Sequence, residues 1–167
     1  MPGHPPLRLG RRGLVCLLAV VLTACTGGGA PGPVDVTPPP VDATAAAVCA
    51  RLAPLLPQTL GDGLDRRPVS ADPDRVAAWG DPAVVLTCGV PPAGPPGQDG
   101  EPFVLGPPND DRLLGFEQDD LGDATLFKTR ETEVTVSVLV PDTGDATLIQ
   151  RFLVPLLDTL PMTPQTG

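Results

Sequence analysis

The sequence predicts an α+β domain: a small, mainly antiparallel sheet with an N-terminal and a C-terminal helix packed on one face, and one disulfide. Three observations predict it. Val134, Val136, Val138 and Val140 alternate with Thr135, Ser137 and Leu139, the period of a half-buried strand. Val84, Leu86, Cys88 and Val90 share one face of a second extended run. These runs are flanked by helical spacing, at Ala45, Cys49, Leu52 and Leu56 before them and at Leu148, Ile149, Phe152, Leu153, Leu156 and Leu157 after them. Strands enclosed between terminal helices favour helices covering one face of the sheet.

Residues 1–24 are set apart from that domain. Arg8, Arg11 and Arg12 precede an apolar run from Leu14 to Leu22, the layout of a secretory signal peptide. The run is shorter than the roughly 20 residues a spanning helix needs. Leu22-Thr23-Ala24-Cys25 reads as a bacterial lipobox, with diacylglycerol attached to the Cys25 thiol and cleavage just before it. The rival is an ordinary signal peptide cut elsewhere, with a chance cysteine. Arg11-Arg12 ahead of Gly13, Leu14 and Val15 is also faintly similar to a twin-arginine signal. On the lipobox reading His4 and Cys16 are discarded. The mature chain is then held on the outer face of the cytoplasmic membrane by acyl chains such as palmitate.

Three of the 11 basic residues lie in this leader, which leaves 8 against 20 carboxylates and a net charge of −12. Such a chain lacks the clustered Lys and Arg that phosphate neutralisation requires, so nucleic acid is excluded as a partner. It gains nothing electrostatically from an anionic bilayer, so lipid must do the anchoring. Cys25 and the Gly- and Pro-rich residues 26–41 form a tether that reaches at most roughly 50 Å when extended. The globular domain is assigned to residues 42–160 and a flexible tail to 161–167. Aromatic side chains are confined to Trp79, Phe103, Phe116, Phe127 and Phe152, so the core must be mostly aliphatic.

Asp42 or Thr44 can cap the first helix, and Pro54 and Pro57 end or kink it. Cys49 lies on its buried stripe and Cys88 on the inner face of a strand. In an exported chain this pair reads as a disulfide, with free buried thiols as the rival. Closing about 40 residues contributes roughly 4 kcal/mol on the chain-entropy estimate. Residues 75–79 pair with 83–90 across the turn Gly80-Asp81-Pro82. Residues 91–111, rich in Pro, Gly and Asp, read as a long surface loop. A weaker strand covers 113–117, and 124–130 joins the valine strand through Glu131 to Glu133 as a hairpin. The C-terminal helix starts near Asp145, and Pro155 kinks it or ends it near Val154. Gly-Asp-Ala-Thr-Leu occurs at 122–126 and 144–148, once leading into a strand and once opening a helix; biased composition explains the coincidence.

Searches for chemistry return little. Without a histidine after the leader there is no Ser-His-Asp or Cys-His arrangement, and no metal site or cofactor is expected. No Gly-rich phosphate loop with a lysine is present. Glu117 with Asp119 and Asp120 is the candidate carboxylate group for acid–base work, placed in a charged turn where solvated carboxylates are ordinary. Asp119, Asp120 and Asp123 hint at calcium but miss the EF-hand spacing. Ser70, Thr87 and Ser137 have no base near them in sequence. Trp79 marks a possible binding groove, with a core lid as the alternative.

The segment from Trp79 to Val90, W-G-D-P-A-V-V-L-T-C-G-V, resembles an actinobacterial lipoprotein family known as domain of unknown function 3515. The resemblance extends over most of 43–160 and includes the lipobox and the Ala-rich helix with its cysteine; the acidic loop at 91–111 departs from it. It implies the same fold and an envelope address, and no activity. The expectation is therefore a non-catalytic, membrane-anchored module that binds an envelope protein or cell-wall partner. A lipoprotein binding a small ligand or ion is the alternative, and an atypical carboxylate-based hydrolase comes third.

Overall fold

A computed structural model describes residues 32–163, apart from 62, 96–99 and 143–145. The leader and Cys25 lie outside the described residues. Helix α1 (Ala43–Leu52) is capped by Asp42, whose Oδ1 accepts a hydrogen bond from the Ala45 N–H at 2.8 Å. A 3-10 turn over Ala53–Leu55 follows, with Pro54 inside it. Proline removes the donor that would continue the α-helix, so the chain tightens and leaves. Of the predicted stripe Cys49, Leu52 and Leu56 are buried and Ala45 is partly buried, and Val48 joins them.

Seven strands follow among the described residues: β1 (Arg66–Arg67), β2 (Val76–Trp79), β3 (Val84–Val90), β4 (Glu101–Leu105), β5 (Leu114–Asp120), β6 (Ala124–Arg130) and β7 (Thr135–Pro141). They form one antiparallel sheet in the order β1-β2-β3-β7-β6-β5-β4. The β2–β3 hairpin across Gly80-Asp81-Pro82 and the β6–β7 hairpin form as expected. A 3-10 segment (Ala146–Phe152) and helix α2 (Leu153–Thr159) close the chain. The fold is α+β, with both helices against the face that carries Trp79, Leu86, Cys88, Phe116, Phe127, Val136 and Val138.

A Cys49–Cys88 disulfide fastens α1 to β3. Trp79 and Phe152 pack with ring centroids 5.2 Å apart, and Phe103 lies against both Phe116 and Phe127. Trp79, Phe116, Phe127 and Phe152 are thus buried in a mostly aliphatic core, with Phe103 packed partly buried against it. At the far end of β3 the register shifts between Cys88 and Val90. Gly89, at φ +76°, is the bulge residue, and a Cβ there would lie 2.6 Å from Val41 Cγ1. Only glycine combines that backbone conformation with so close an approach.

Five expectations need correction. The 91–111 loop contains β4: Phe103 and Leu105 alternate inward, and an edge strand tolerates Pro102. Strand β5 runs on to Asp120, so Glu117 lies in a strand and is 2 % exposed, not in a solvated turn. Pro155 neither kinks nor ends α2; it stands in the first turn, where its missing N–H has no intrahelical partner to lose. Part of the predicted tether is folded: Val34 bridges Val69, and the Ser70 hydroxyl donates to Asp35 Oδ1 at 2.7 Å. Part of the predicted tail is folded too, since Met162 bridges Thr132 and the Thr163 N–H donates to the Glu131 carbonyl at 2.8 Å. Residues 164–167 lie outside the described residues.

A groove at one end of the sheet

Side chains alternate across the sheet, so the face opposite the helices is defined by register. One transverse row there reads Val76, Thr87, Ser137, Lys128, Glu117 and Pro102 across six strands. Glu117 pairs with Arg130, two residues further along β6 from Lys128. The same Arg130 nitrogen, Nη1, also donates to the Gly94 carbonyl at 3.2 Å, so the pair ties the 91–95 segment to the sheet. Glu117 Oε1 is buried without a hydrogen-bond partner. A buried carboxylate of this kind is held by its cation, and removing that cation leaves an uncompensated charge.

Beside this pair the sheet end is grooved. One cleft, of about 350 Å³, lies between Pro102–Val104, Gly115–Phe116 and Arg130–Glu131. A small pocket shares Arg130 and Glu131 with it and continues past Ala93 to Thr132 and Thr135. That pocket in turn shares Pro92, Thr132 and Thr135 with a third cleft, of about 310 Å³, walled by Pro39–Asp42 and by the Gly89 bulge. The groove therefore follows the strand ends from β3 to β4. Its walls are prolines, threonines and exposed Val104, with carboxylates of Asp42, Glu131 and Glu133 and the cation of Arg130 at intervals. The described lining offers hydrogen-bonding groups and holds no imidazole or thiol nucleophile.

The residues singled out from sequence do not converge here. Trp79 is fully buried, donates its Nε1–H to the Pro57 carbonyl at 2.9 Å and carries the Arg66 guanidinium 5.0 Å above its ring. Arg66 is itself partly buried there, and this desolvation lowers its pKa. No ring face is left for a ligand, so Trp79 is a core residue and borders no groove. Glu117 and Asp119 share one face of β5 and Asp120 points to the other, where its Oδ1 accepts from the Gly122 N–H at 2.8 Å. Among the described residues no group of three or more His, Cys, Asp or Glu side chains is placed to hold a metal. Ser70 serves Asp35, and Thr87 and Ser137 face each other across β3 and β7. Lys128, the chain's single lysine, stands opposite Ser137, but no hydrogen bond joins them. Cys49 and Cys88 alone among the predicted site residues meet as expected.

Sequence reasoning missed the groove and the Glu117–Arg130 pair. The signal available was the pairing of 113–117 with 124–130, which brings Glu117 within diagonal reach of Arg130 once register is fixed.

The chain matches the family described as protein of unknown function (DUF3515) over residues 13–164, and it belongs to that family. No curated protein matches it, and no solved structure does.

Proposed function

We propose that the protein is a non-catalytic, lipid-anchored module of the cell envelope, exposed on the outer face of the cytoplasmic membrane, whose groove at the β3–β4 strand ends receives an envelope protein or cell-wall partner. The observation that carries this reading is the Cys49–Cys88 disulfide, placed in a domain that follows a basic, apolar leader ending in Leu-Thr-Ala-Cys25. Disulfides persist in oxidising compartments and are rare in the cytosol. The pairing therefore supports export independently of the leader. The net acidic surface supports lipid, not charge, as the attachment.

The test is the mass and location of the protein in cells. A mature chain that starts at an acylated Cys25 and sediments with membranes is expected, with a soluble, unacylated chain from Cys25→Ala. An unmodified Cys25 in a cytosolic chain contradicts the reading.

A second reading has one observation in its favour. The cleft at Phe103, Val104 and Arg130, about 350 Å³, falls in the size range of small-molecule sites. Saturable binding of a wall fragment that is abolished by Val104→Asp, a change in the exposed wall, supports that reading. Fragment binding that survives the substitution counts against it.

A further inference from the structure

Residues 32–41, Pro-rich and lacking apolar periodicity, are held along the domain by contacts at both ends and near Val34. The Gly32 carbonyl accepts from Arg67 Nη2 at 2.7 Å, and Arg67 Nη1 donates to the Gly80 carbonyl at 2.8 Å. The Val34 N–H donates to Pro68 O and Val34 O accepts from the Ser70 N–H, both at 2.9 Å, in a parallel bridge. Asp35 accepts from Ser70, and the Pro39 carbonyl accepts from Arg75 Nη2 at 2.6 Å. Arg75 is itself buried and also donates to the Cys88 carbonyl. Val41 then fills the space that Gly89 leaves open, and Asp42 caps α1.

These contacts have a direction. Gly32 lies by the β2–β3 turn, whereas Pro39 to Asp42 reach the opposite end of the same hairpin and wall the groove. We propose that residues 32–41 are a strap that fixes where the anchor leaves the domain, so that the β2–β3 turn faces the lipid bilayer and the groove faces away from it. This rests on the anchoring at Cys25 proposed above. Six residues, 26–31, then separate Cys25 from the strap, and whatever their conformation the step from Cys25 to Gly32 is at most about 25 Å, against roughly 50 Å for a free tether of 26–41. A strand of seven residues adds about 23 Å. The groove therefore stands within about 50 Å of the bilayer.

The experiment uses the full, lipidated protein in vesicles of phosphatidylethanolamine and phosphatidylglycerol that carry a headgroup-bound energy acceptor. A donor dye is placed at Asp81→Cys, in the β2–β3 turn, or at Pro91→Cys, beyond the far end of β3; both sites are exposed. Higher transfer from position 81 than from position 91 is expected. The difference should be lost in Val34→Pro/Asp35→Ala, which removes the bridge donor and the Ser70 acceptor. Equal transfer from the two sites in the otherwise unaltered protein, or greater transfer from 91, overturns the orientation. Hydrogen exchange reads the strap without reference to the membrane: the Val34 and Ser70 amides should exchange at least about 100-fold more slowly than in an unstructured chain. Unprotected amides in the lipidated protein overturn the strap alone. Lack of acyl mass on Cys25 overturns the anchoring and with it the orientation, while leaving amide protection to be read separately.

Discussion

The two faces of the sheet use neighbouring residues of the same strands in opposite ways. On the helix-covered face, the row Ala77, Leu86, Val138 and Phe127 is apolar and packs with the disulfide and Trp79 into one core. One residue along each strand, the opposite face presents Val76, Thr87, Ser137, Lys128 and Glu117. Helices cover the first face, where apolar area drives burial without regard to direction. Segments outside the core are held instead by directed bonds: Arg67 and Arg75 donate to carbonyls of residues 32–41, and Arg130, on the opposite face, donates to the Gly94 carbonyl. The helix-covered face therefore supplies stability, and the directed bonds set the course of residues 32–41 and the walls of the groove.

Disrupting each face should separate these roles. Trp79→Ala removes the largest fully buried side chain and should cost about 3–5 kcal/mol, read from urea unfolding followed by circular dichroism. Cys49→Ala/Cys88→Ala should cost roughly 4 kcal/mol on the chain-entropy estimate, read from the same unfolding curves. On the other face Arg130→Ala should cost about 3 kcal/mol, because Glu117 stays buried without its cation. Glu117→Leu/Arg130→Met should restore most of that loss; a double variant as unstable as the single one would show that the pair, not its burial, supplies the energy.

The smallest effect should come from the clasp between the loop after β4 and α2, where Arg112 bridges Asp110 and Asp158 at 2.7 and 2.8 Å. Hydrogen bonds from Arg112 lower the pKa of Asp110, and the same bonds, with those to Asp158, raise that of Arg112. A carboxylate whose folded pKa is depressed stabilises the fold above its unfolded value and loses that contribution as pH falls through the folded one. The melting temperature of the unaltered protein should therefore exceed that of Asp110→Asn slightly at neutral pH. The gap should close below about pH 4.

The helix-covered face was legible in the sequence and the opposite face was not. Val134 to Val140, Cys88 and the stripe of α1 repeat with the period of their element, and burial follows period. Even so, Thr135 and Ser137 are more buried than a half-exposed strand implies, because β7 is the middle strand of seven. Prolines interrupt the strap, β4 and residues 161–163, and none of the three shows a clear period, so the sequence suggests tether, loop and tail there. Their order comes from contacts with residues distant in sequence, such as Arg75 to Pro39. The acidic neighbours of Glu117 suggest a turn, whereas the alternation of Leu114 and Phe116 favours the strand that forms.

The account stands most directly on which face meets a partner in the cell. A photo-crosslinker at Val104, in the groove wall and 61 % exposed, is compared with one at Leu55, by the helices and 54 % exposed, with Cys25→Ala as the control. The account predicts a discrete membrane-associated partner captured from position 104, absent from position 55 and lost with Cys25→Ala. Capture from Leu55 alone, or from Val104 undiminished when Cys25 is replaced, would contradict it.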